Sequence, residues 1–213
     1  MQAVDKIVYS NDWITIIFVV LLASLVLLKL VDAKKLNENF FAFVNLSFID
    51  DEDIERKEFF DFFEILIFIF SVIVLALVLH HFKLYKFPNA KSSLSSFMDV
   101  FYSLLIYYLC KRVFEYLLMI IFAIKNEMQS FILLKNNYLN SLSFFLLIGL
   151  ILLEYSEIDH LYLFFFAGFL FFLRFAFLVL RNKKLIFNKL FYFILYICAL
   201  EIAPLFVLYK LMF

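Results

Sequence analysis

The stretch FFDFFEILIFIFSVIVLALVLHHF, Phe59 to Phe82, decides the fold. Beyond Asp61 and Glu64 it stays apolar to Leu79, broken only by Ser71. A helix rising 1.5 Å per residue crosses a hydrocarbon core of about 30 Å in about 20 residues, so this segment is long and apolar enough to span a membrane. It is not alone. The chain is 66% hydrophobic, with 33 Phe among 213 residues and only two Gly and two Pro. That leaves too little polar residue to coat a soluble domain. Strand-like alternation is absent, which argues against an outer-membrane barrel. The reading is all-α: one integral membrane domain over residues 1–213, folded as a polytopic transmembrane helical bundle.

Six spans are expected, near Trp13–Val31, Phe59–Phe82, Phe97–Ile124, Tyr138–Leu153, His160–Leu180 and Leu185–Leu211. An even number puts both termini on one side. The loops after spans one, three and five hold ten Lys and Arg, Lys125 and Lys135 among them, whereas the opposite set with the termini holds five. The positive-inside rule then makes the first set cytoplasmic and both termini periplasmic. The first span lacks the basic leader and small-residue cleavage site of a secretory signal, so it is expected to remain in the membrane.

Two loops carry structure of their own. In the first, Leu36, Phe40, Phe43 and Val44 recur at helical spacing beside Lys34, Lys35 and Asn39, the pattern of an interfacial helix. The stretch MQSFILLKNNYLN, Met128 to Asn140, reads as a second, shorter interfacial piece. No internal repeat is visible, so the inverted halves of many transporters are not supported.

Ionisable residues recur inside the spans. Lys111, Arg112 and Glu115 fall within the third; Lys111 and Glu115, four apart, share a helix face with Tyr107 one turn back. Span two opens with Glu64, span five carries Arg174 and span six carries Glu201. Each central charge costs about 2.5–3.5 kcal/mol on insertion scales, so these groups must face the bundle interior and pair there. Depth suggests two layers of ion pairs. Glu64, Glu115 and Arg174 lie in the inner half; Lys111, Arg112 and Glu201 lie nearer the midplane. In the last span, Pro204 lacks an N–H and frees the carbonyl of Leu200, so a kink is expected one turn from the Glu201 carboxylate. Such a break can build a polar site or lock two helices together.

Net charge is zero and no basic field points to nucleic acid. Cys110 and Cys198 both lie within expected spans and read as small buried apolar residues. His80, His81, Asp99, Glu154, Asp159 and His160 cluster at span ends, but at the spacing of no familiar metal motif. They read as interfacial side chains, with neither metal nor cofactor expected. P-loop, nucleotide turn and HExxH are absent, and no serine or cysteine has a histidine at its depth. With two glycines, Gly-based helix packing is not expected.

At LYICALEIAP, Leu195 to Pro204, the sequence resembles the closing signature of an uncharacterised family of polytopic inner-membrane proteins from Bacteroidota. Its pattern is Leu-Tyr-x-Cys-x-Leu-Glu-Ile-x-Pro, and Tyr196, Cys198, Glu201 and Pro204 match it position by position. Lys111 and Arg174 also resemble that family's arrangement. The likeness implies a bacterial inner membrane and no activity. It implies a host whose inner-membrane machinery serves gliding and type 9 secretion. The expected function is a non-enzymatic subunit or assembly factor of an inner-membrane complex, with lipid and other proteins as partners. The alternative is a small proton- or ion-coupled transporter with Glu201 as the titrating group.

Overall fold

The computed structural model describes residues 12–43, 62–87, 92–121, 125–156, 159–181 and 210. The sixth expected span lies outside the described residues except for Lys210, and so do Tyr196, Cys198, Glu201 and Pro204. The described chain is helical, with six α-helices and no strand: α1 Asp12–Val31, α2 Ala33–Phe40, α3 Phe62–Lys86, α4 Leu94–Ile121, α5 Lys125–Tyr155 and α6 His160–Arg181.

Four of these helices (α1, α3, α5 and α6) are long and apolar enough to cross a membrane. The 28 residues of α4 are long enough, but Asp99, Lys111, Arg112 and Glu115 dilute its hydropathy. The five long helices fall where spans one to five were expected, with one difference. The fourth begins at Lys125, not near Tyr138, so the polar run KNNYLNS lies inside one continuous helix of 31 residues.

Burial separates centre from periphery. Within their most apolar windows, α3 is 56% and α5 61% buried, against 22% for both α1 and α6. Among the described helices the centre is therefore the α3–α5 pair. Helices α1 and α4 lean on α3, α6 leans mainly on α5, and α4 also touches α5.

The outer helices show why. On α1 the buried residues are Ile14, Phe18, Leu21 and Leu28, a single helical face set against α3. The other faces of α1 present Ile16, Val19, Val26, Leu27 and Leu30, all exposed and all apolar. A helix greasy all round suits lipid on one side and protein on the other. In lipid, burying Leu against Leu gains little from solvent exclusion, so close packing and interhelical hydrogen bonds must hold the bundle together.

Both kinds of tie are present. A β-carbon added to Gly149 on α5 would sit 3.2 Å from the Phe166 ring of α6, a close approach that only glycine allows without adjustment. One glycine thus serves helix packing after all, by admitting an aromatic ring and not a second backbone. At one end of the bundle, Trp13 meets His80 edge-on at 5.4 Å and Phe97 at 5.6 Å, joining α1, α3 and α4.

The expected amphipathic helix of the first loop is α2. Asp32 caps it: its carboxylate accepts from the backbone N–H groups of Lys34 and Lys35, each at 3.0 Å. Its inner side docks on α5. Phe40 packs on Phe144 and Phe145 at ring distances of 5.6 Å, and Asn39 is only 1% exposed. Lys34 and Glu38 pair loosely on its outer side at 3.9 Å.

Candidate functional site

The interior contains a cavity of about 480 Å³ bounded by α3, α4, α5 and α6. One part of its wall is apolar, from Leu75, Val78 and Leu79 of α3 and Leu104 of α4. The other part carries Glu64, Lys111, Arg112, Glu115, Lys135 and Arg174. Counted along their helices from the end that carries the histidines, these charges lie roughly 20–30 Å in.

Five of the intramembrane charges read from sequence therefore converge on one chamber: Glu64, Lys111, Arg112, Glu115 and Arg174. Lys111 and Glu115 do share the inward face of α4, 7% and 4% exposed. The expected two layers merge into one cavity among the described residues, because Lys111, Arg112 and Glu115 span little more than a helical turn. Glu201, the sixth, lies outside the described residues.

The sixth charge on the wall is Lys135, which the loop count had placed in the cytoplasm. Its ammonium is ion-paired with the Glu115 carboxylate, and both side chains are 5% exposed. This joins α4 to α5. The nearest described partner of Arg174 is neither Glu64 nor Glu115: its Nη2 donates to the Lys135 carbonyl at 3.4 Å, and its buried Nε finds no partner among the described residues. Arg112 lies over the Phe68 ring at 5.8 Å and Lys111 over Tyr107 at 5.7 Å, both within cation–π reach.

From the cavity wall at Asn140 runs a neutral polar relay that sequence reading missed. Ser71 of α3 donates to Asn140 of α5 at 3.0 Å, and Asn140 donates to Asn39 of α2 at 3.2 Å. Asn39 in turn donates to the Lys35 carbonyl at 2.9 Å, and Ser141 to the Phe40 carbonyl at 2.9 Å. Each asparagine thereby satisfies both ends of its amide in a buried place. A signal for Lys135 did exist in the sequence. Lys135, Leu139, Leu142, Leu146, Leu150 and Leu153 hold a helical period through the polar run, and that period marks one helix.

At the opposite end, His81 sits 3.9 Å from a Glu154 carboxylate oxygen and stacks on His160 at 5.7 Å. Among the described residues no group of three or more His, Cys, Asp or Glu is arranged to hold a metal ion. Tyr155 donates to Thr15 across α5 and α1 at 3.2 Å. Cys110, expected to be buried, is exposed on the outer face of α4.

A bundle of apolar helices, with six charged side chains gathered on the wall of one inner chamber, defines a polytopic helical membrane protein. The chain belongs to the family described as Domain of unknown function (DUF4271), whose model matches residues 14–212. No curated protein and no solved structure matches it.

Proposed function

We propose that this protein is a non-enzymatic subunit or assembly factor of a bacterial inner-membrane complex, of the kind that serves secretion or gliding. Both termini face the periplasm in this reading. The observation in its favour is how the interior polar groups are used. The Glu115–Lys135 pair joins α4 to α5, and the Ser71–Asn140–Asn39 relay joins α3, α5 and α2. These are ties between helices, and a buried ion pair need not carry chemistry. The exposed faces of α1 and α6 are apolar along their length, which suits lipid and the helices of neighbouring subunits. The proposed host and membrane rest on the resemblance at Leu195–Pro204.

Gentle purification from the native membrane tests this reading. The expected result is one or more envelope proteins co-purifying at fixed stoichiometry. A protein recovered alone, at full activity in its host's envelope function, overturns it.

A second reading, the ion-coupled transporter, draws support from the cavity, whose wall gathers Glu64, Lys111, Arg112 and Arg174. There Glu201 is the proton carrier. Glu201→Gln would then leave a protein that accumulates and assembles but does not work, because an amide cannot release a proton in the working range. In the subunit reading the same variant keeps function at normal protein level.

A further inference from the structure

Among the described residues, the cavity wall carries more basic than acidic side chains. Four basic side chains (Lys111, Arg112, Lys135 and Arg174) face two carboxyl groups, Glu64 and Glu115. One of those carboxylates is already engaged by Lys135. Among the described lining residues this leaves a formal excess of two positive charges, and one further carboxylate would still leave an excess. In a medium of low dielectric, excess charge is costly unless an opposite charge is supplied.

The geometry narrows what could supply it. The Arg174 guanidinium is held from one side by the Lys135 carbonyl, while its buried Nε has no partner among the described residues. Arg112 is propped over the Phe68 ring, which leaves the donors at the edge of its guanidinium for another group. Planar guanidinium forks match the oxygens of phosphate and carboxylate. Next to this basic part the wall turns aliphatic at Leu75, Val78, Leu79 and Leu104, and 480 Å³ falls within the range of small-molecule sites.

We propose that the cavity binds an amphiphilic anion drawn from the membrane. Its oxyanion head, a phosphate or a carboxylate, sits between Arg112 and Arg174. Its acyl chain lies along Leu75, Val78, Leu79 and Leu104. This site is independent of whether the protein acts as a subunit or a transporter.

The test uses the full chain in nanodiscs of phosphatidylcholine, titrated separately with phosphatidic acid, with oleate and with inorganic phosphate. Bound lipid is read by native mass spectrometry after a delipidating wash. The expected result is saturable retention of phosphatidic acid or oleate above the bulk composition; whichever binds more tightly identifies the head as phosphate or carboxylate. The double variant Arg112→Gln, Arg174→Gln should weaken retention roughly ten- to hundredfold, the loss of charge-assisted hydrogen bonds. Arg174→Lys should retain more than Arg174→Gln. Should the double variant fail to accumulate, Leu79→Trp fills the aliphatic part and keeps every charge, and it should lower retention in a protein that stays monodisperse. Retention no greater than bulk composition, or unaltered by Leu79→Trp, overturns the proposal. So does inorganic phosphate competing as well as phosphatidic acid, since the chain would then contribute nothing.

Discussion

Lys135 carries the sharpest consequence for a single residue. Its pairing with Glu115 buries both groups between α4 and α5, each at 5% exposure. Breaking a buried pair by removing one partner typically costs about 3–5 kcal/mol, whereas replacing both by apolar groups is often neutral. Lys135→Met should therefore lower protein level and thermal stability in detergent. Lys135→Met with Glu115→Leu should recover most of the loss. A double variant as unstable as the single one would count against the pair. The sequence made Glu115 legible as a buried acid, because a lone carboxylate at depth must turn inward. It did not identify the partner, since hydropathy reads Lys135 among Asn136, Asn137 and Asn140 as a polar break. Azimuth and contact, which depth along a helix does not specify, chose Lys135 over Arg174.

At the scale of elements, the α5–α6 contact depends on the absence of a side chain. A methyl group on Gly149 would press on the Phe166 ring at 3.2 Å and approach Leu163 at 3.6 Å. Gly149→Val overpacks this seam and should cost about 1–3 kcal/mol, seen as earlier thermal unfolding in detergent. Gly168, also helical and on α6, meets nothing within 4 Å. Gly168→Ala should be neutral or raise stability by up to about 1 kcal/mol through helix propensity. Equal effects from both substitutions would mean that the seam is not set at Gly149. The amphipathic pattern of α2 was visible in Leu36 and Phe40, but its docking was not. That took the Asn39–Asn140 and Phe40–Ser141 hydrogen bonds, which join residues about a hundred positions apart.

For the whole molecule, moving Lys135 into the interior changes the orientation argument without reversing it. The basic residues of the loops assigned to the cytoplasm fall from ten to nine, against five on the other side. A reporter active only in the periplasm, fused after Phe213, should therefore be active. Activity of a cytoplasm-only reporter at the same position would invert the topology and put the cavity's basic layer nearer the periplasmic face. The sequence by itself determined that this is a bundle of membrane-spanning helices and that the deep charges of its described spans face inward. Length, hydropathy and the cost of charge in hydrocarbon depend on composition along one chain, so they can be read there. Only the tertiary structure decided that α3 and α5 form the centre of the described helices, that Glu115 takes Lys135, and that five charges foreseen separately line one chamber with a sixth. Those outcomes depend on which faces meet, and helix rotation is set by packing and hydrogen bonds between segments far apart in sequence.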